Sequence, residues 1–168
     1  MLLHKSLALL ASLAATTTNA LYFHLTDFRA SDVRIPSESH ALAFTISNPD
    51  AVFEQGGNNP ANCTISWTTT PPTCWTPCAT TDSGWGYYAL LTSYSGAYNF
   101  TLQIQEYFAY RNSVLNNVSI PVVEGSGEWD CSRGGQSTQC NFRNAESSYD
   151  TGFETYYGVQ KAGPICVV

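Results

Sequence analysis

Five acidic side chains in the second half of the chain, Glu106, Glu124, Glu128, Asp130 and Glu154, are the residues whose types could do chemistry. Two carboxylates facing each other on a β scaffold suffice for glycoside hydrolysis, one as acid and the other as base or nucleophile. Glu106 extends an alternating strand, and Glu128 precedes Trp129, whose indole could stack on a sugar. The plainer expectation is that these are solvated carboxylates at strand ends. Beyond the leader segment the histidines are His24 and His40, both on or beside early strands and too few to form a metal cluster. A secreted nuclease would pair one of them with Glu and Arg, and the acidic surface opposes that reading. The chain has no Gly-x-Ser-x-Gly elbow and no phosphate-cradling loop. The expectation is therefore no catalytic residue, no metal and no cofactor, with ligand-binding residues unspecified.

The elements that must position these groups begin after an export signal. Met1–Lys5 is a short, mildly positive start, Ser6–Ala15 is apolar, and Thr16–Ala20 is a small polar stretch ending at a cleavage point. This is the layout of a signal peptide over residues 1–20, and its apolar run is too short to span a bilayer. The mature protein, residues 21–168, is then expected to be secreted as one extracellular domain. Cys63, Cys74, Cys78, Cys131, Cys140 and Cys166 follow the signal, so three bridges are expected. The six basic residues of the mature chain, Arg29, Arg34, Arg111, Arg133, Arg143 and Lys161, are scattered among thirteen acidic ones. Such a surface repels nucleic acid and anionic membranes, and both are excluded as partners. No second apolar segment supplies an anchor, and Ile165-Cys166-Val167-Val168 is too short for a lipid-anchor tail.

Helical periodicity is absent from residues 21–168, and alternation with period two recurs. Tyr98, Phe100, Leu102 and Ile104 share one face of a strand, and Asn99, Thr101, Gln103 and Gln105 the other. Further strands are expected over Leu21–Phe28, Ala41–Ile46, Asn62–Trp67, Trp85–Thr92, Val118–Val123, Thr138–Arg143 and, weakly, Tyr156–Val159. Turn signals separate them at Asn48-Pro49-Asp50, Gly56-Gly57-Asn58-Asn59-Pro60, Thr70-Pro71-Pro72, Asp82-Ser83-Gly84, Ser95-Gly96 and Gly134-Gly135. The pattern predicts an all-β, single-domain antiparallel barrel or sandwich stapled by disulfides.

Three glycosylation sequons, at Asn62, Asn99 and Asn117, agree with this phase, because each sets its Asn and hydroxyl residue on the polar face. The pairs Tyr87-Tyr88 and Tyr156-Tyr157 and the run Tyr107–Tyr110 are expected to split their aromatics between core and surface. An outer group around Tyr107–Tyr110 is a candidate recognition surface.

Six cysteines allow 15 pairings. Cys131 and Cys140 flank a hairpin-like turn that would bring them together. The Pro-rich loop Thr68–Thr73 turns the chain from Cys63 back toward both Cys74 and Cys78.

Four features resemble the secreted fungal β-barrel family typified by the major allergen of Alternaria. They are the opening strand Phe23-His24-Leu25-Thr26-Asp27-Phe28-Arg29, the second strand His40-Ala41-Leu42-Ala43-Phe44-Thr45-Ile46-Ser47, the Cys63 and Cys78 spacing with Trp75 near the second Cys, and the Cys131 and Cys140 spacing. The resemblance implies bridges Cys63–Cys78 and Cys131–Cys140, which leave Cys74 to Cys166. It further implies a fungal allergen-like or effector-like protein that binds a host plant defence protein or a small aromatic ligand. The family's inter-chain cysteine has no counterpart before Cys63, so any homodimer is expected to be non-covalent. The alternative from another class is a carbohydrate-active protein, either a glycosidase or a carbohydrate-binding module.

Overall fold

The structure, a computed structural model, describes residues 21–51, 59–80, 85–109, 113–143, 148–160 and 163–166. The leader 1–20, the turn signals at 56–58 and 82–84, and Tyr110, Arg111 and Lys161 lie outside these residues. Among the described residues the chain is all strand and turn, with no helix.

Eleven strands follow in order: β1 (Tyr22–Val33), β2 (Ser39–Ser47), β3 (Ala61–Trp67), β4 (Thr76–Thr80), β5 (Gly86–Gly96), β6 (Asn99–Phe108), β7 (Val114–Val123), β8 (Trp129–Gly134), β9 (Ser137–Phe142), β10 (Ser148–Gly152) and β11 (Glu154–Tyr157). They form two antiparallel sheets. The first runs β3-β2-β1-β9-β8, with β10 beside the opening half of β1, and the second runs β11-β7-β6-β5-β4. The sheets face each other as a sandwich and do not close into a barrel. On one flank β3 and β4 lie side by side without a hydrogen-bonded ladder, joined by Cys63–Cys78. Pro77 and the register shift beside it mark β4 as an edge strand, because proline has no N–H to donate. On the other flank the chain crosses between sheets at Phe153, whose ring packs 4.4 Å from that of Phe23.

The alternation that predicts the strands also builds the core. Leu42, Phe44 and Ile46 of β2 meet Phe100, Leu102 and Ile104 of β6 in one buried cluster. Phe28 lies at its centre, within 6.2 Å of the rings of Phe44, Phe100, Trp129 and Phe142. β1 is longer than the predicted Leu21–Phe28 because a bulge, with Asp27 at φ 52°, moves the register and turns both Leu25 and Phe28 inward. Short polar Asp is among the few residues that tolerate this conformation. Three elements have no clear alternation of their own. β4 follows a Pro-rich loop, β8 is the partner arm of the Cys131 hairpin, and β10 is mostly polar.

The bridges are Cys63–Cys78, Cys74–Cys166 and Cys131–Cys140, with no free cysteine, and they fit an oxidising compartment. Cys74–Cys166 pins the C-terminal segment beside β4, where Trp75 donates its N–H to the Pro164 carbonyl at 2.8 Å and accepts from the Cys166 N–H at 2.9 Å. Gly163 fits there for two reasons. Its φ is +79°, and a Cβ would stand 2.9 Å from Trp75 Nε1.

Candidate functional site

Each apolar row of the sandwich ends in polar side chains facing the opposite sheet, which makes two polar clusters at opposite ends. At one end, inward-facing Ile104 is followed by Glu106, which is fully buried. Its Oε2 accepts from Asn48 Nδ2 at 2.7 Å and from Asn116 Nδ2 at 2.9 Å. Tyr87 and Trp85 add weaker polar contacts to the same carboxyl. Burial pushes Glu106 above its ordinary value, and these donors offset only part of that. Asn48 follows β2 and the other groups belong to the second sheet, so the cluster ties the two layers together. The strand-end expectation fails for Glu106 because it shares the core-facing phase of Phe100, Leu102 and Ile104.

At the other end, Asp32 on β1 and His40 on β2 close the inward rows. His40 Nδ1 lies 2.7 Å from Asp32 Oδ1, and His40 Nε2 lies 3.2 Å from Glu38 Oε1. Asp32 also receives the Tyr94 hydroxyl and, at 2.8 Å, the Ala97 N–H, both from the second sheet. The His40 ring stacks on Trp67 with 5.3 Å between centroids and meets Tyr94 edge-on at 6.0 Å. Burial pushes the Asp32 carboxyl up, but the hydrogen bonds from His40, Tyr94 and Ala97 outweigh it and hold the group below its ordinary value. Burial lowers His40, and its two carboxylate partners overcome that and raise it. His40 is therefore no surface histidine, since its side chain is only 15 % exposed. His24 stays at the rim, 2.6 Å from Asp150.

The remaining acids are dispersed. Glu124 pairs in bidentate fashion with Arg133, Asp130 pairs with Arg143, and Glu154 receives the Tyr156 hydroxyl. Glu128 sits in the β7–β8 turn with φ 67°. Its neighbour Trp129 is 1 % exposed and donates to the Ala97 carbonyl, so it offers no face to a sugar. Glu106 has no access to substrate, which leaves the glycosidase arrangement without a described carboxylate pair. Among the described residues no three His, Cys, Asp or Glu side chains converge as metal ligands.

The aromatics divide differently from expectation. Tyr87 and Tyr88 are both buried, because the outer face of the second sheet is itself covered at Tyr88, Gln105 and Leu115. Tyr156 and Tyr157 are both exposed on the short edge strand β11. Tyr107 is half-buried and Phe108 is in the core, so the described part of the Tyr107–Tyr110 run presents no aromatic surface. Of the sequons, Asn62 and Asn99 are exposed, while Asn117 is half-buried with its Oδ1 enclosed.

A concavity lies where no motif pointed, on the outer face of β1, β2 and β9. This groove holds about 440 Å³. Ser31, Ala41 and Ala43 form its floor, and Asp27, Arg29, Gln139 and Asn141 stand around it. Small outward side chains leave the trough, and the Asp27 bulge lifts one end. Arg29 makes no ion pair with another described residue. The only sequence signal was the run of small residues on the outer phase of β2.

No family model, curated protein or solved structure matches the chain.

Proposed function

We propose that the chain is a secreted, non-catalytic binding protein of the fungal allergen-like or effector-like kind. It engages a host extracellular defence protein or a small aromatic ligand through the outer groove of the first sheet. The observation that carries this reading is the groove itself, an open trough with a small-residue floor and, on its wall, the Arg29 guanidinium, which has no ion pair among the described residues. Its volume falls in the range of small-molecule sites, and pockets of this size are the usual place for recognition. The dispersal of the carboxylates supports binding over turnover. With every cysteine paired inside the chain, any homodimer is non-covalent.

The test is capture from plant apoplastic fluid by the mature oxidised protein, beside an Ala43→Trp variant that fills the floor. Retention by the parent and loss by the variant, with unchanged circular dichroism, supports the reading. Equal capture by both removes the groove from it. A carbohydrate-binding reading stands second, because Ser31, Gln139, Asn141 and Arg29 can all hydrogen-bond hydroxyl groups. Binding to a soluble glycan panel, lost in Ala43→Trp, would favour it. Reducing-sugar release from polysaccharides by the wild type would replace both readings with an enzyme.

A further inference from the structure

We propose that the Asp32–His40–Glu38 cluster is a pH-operated latch, in which a protonated His40 fastens the first sheet to the second and its deprotonation loosens it. The proton count of the imidazole sets what His40 can satisfy. Two carboxylates bracket the ring, Asp32 at Nδ1 and Glu38 at Nε2. Carboxylates only accept hydrogen bonds, and a neutral imidazole has one N–H to give. Only the imidazolium satisfies both partners. When the proton leaves, one nitrogen turns a lone pair toward a carboxylate, and two negative groups remain around an uncharged ring.

The consequence reaches across the sandwich because Asp32 is shared. The same carboxylate that holds His40 takes the Tyr94 hydroxyl and the Ala97 N–H from the opposing sheet. The groups facing His40 from each packed element are Asp32 from β1, Glu38 ahead of β2, the uncharged Trp67 from β3 and the Tyr94 hydroxyl from β5. β9 places only Thr138 opposite Asp32. No cation other than His40 is hydrogen-bonded to these carboxylates among the described residues.

The direction of the effect follows from the raised proton affinity of His40 in the folded chain. Stabilisation is full below the ordinary histidine value of 6.5 and is lost as pH rises through the higher folded value. Each unit by which the folded value exceeds the unfolded one makes the folding equilibrium constant about tenfold larger on the acid side. Asp32 stays ionised throughout this window, since its carboxyl is held low.

The experiment is urea denaturation of the mature oxidised protein from about pH 5 to about pH 8.5, on the wild type and on His40→Gln, His24→Gln and Glu38→Gln. The expected result is a several-fold fall in the wild-type folding constant as pH rises above the ordinary histidine value. That fall should be absent in His40→Gln, intact in His24→Gln and shallower in Glu38→Gln. Glu38 is 59 % exposed, so its variant folds even if His40→Gln does not. A second readout is the emission of Trp67, taken as the difference between wild type and Trp67→Phe. A stacked imidazolium should quench it on the acid side. An unchanged slope in both His40→Gln and Glu38→Gln, or Trp67 emission indifferent to pH, overturns the latch.

Discussion

Replacing Cys74 and Cys166 together by serine isolates the loop-closure contribution of the longest cross-link. Both positions are half-buried, so the new hydroxyls are not sealed in the core. The bridge spans 92 residues, against 15 for Cys63–Cys78 and 9 for Cys131–Cys140. In the chain-entropy model these spans correspond to about 4.6, 3.0 and 2.6 kcal/mol of restricted unfolded-state freedom. Cys131–Cys140 lies inside the long loop and shortens it, a correction of about 0.1 kcal/mol. Alanine at buried Cys63 or Cys140 leaves a small void costing about 1 kcal/mol, too little to put the nine-residue bridge above the long one. The assay is urea denaturation without reductant, followed by tryptophan emission and far-ultraviolet circular dichroism in each paired variant. The Cys74/Cys166 variant should lose most stability and also show the largest rise in m, since its unfolded chain expands furthest. A larger loss on removing Cys131–Cys140 would refute the reasoning. It would mean that local packing, and not the reach of the loop, governs what each bridge contributes.

Four further outcomes are expected. Burial holds the Glu106 carboxyl above its ordinary value, so stability present at low pH is lost as pH rises through the folded value. Glu106→Gln should fold, because the enclosed Asn48 Oδ1 can accept from the new amide, and should gain on the wild type in urea midpoints as pH rises above the ordinary carboxylate value of 4.5. Glu106→Ala leaves two buried amides without their acceptor and should lose about 2 to 3 kcal/mol in the same measurement. Gly163→Ala, at φ +79° and against the Trp75 ring, should cost about 1 to 2 kcal/mol and change Trp75 emission before the rest of the molecule responds. Glycopeptide mapping should find sugar at exposed Asn62 and Asn99 and little at Asn117, whose Oδ1 is enclosed beside β6 and β11.

The fold was largely legible because its strongest signals are strand-local. Alternation in β2, β3 and β6 needs no knowledge of partners to be read, whereas spacing alone left the cysteine pairing open and only a resemblance implied the three bridges. The clusters were legible only in part. His40 shares the inward phase of Leu42, Phe44 and Ile46, and Glu106 that of Ile104, yet a polar residue on a core-facing phase is easily taken for the point where a strand ends. Asp32 was hidden further, because the bulge at Asp27 shifts its phase relative to Phe23 and Leu25. The groove was the least legible feature. It arises from small side chains on β1 and β2 beside β9, a strand distant in sequence that meets them only in the assembled sheet.

The unladdered seam between β3 and β4 has a consequence for how the molecule comes apart. The flank at Phe153 is spanned by one residue of chain, like the spine of a book, while the opposite margin is joined by the longer loop from β3 to β4 and held close by the Cys63–Cys78 clasp. A thiol reductant can act on only one of these two hems. Once reduced, the covers should part from the β3–β4 margin inward, wetting Ile65 and Ala89 well before Phe23 and Phe153.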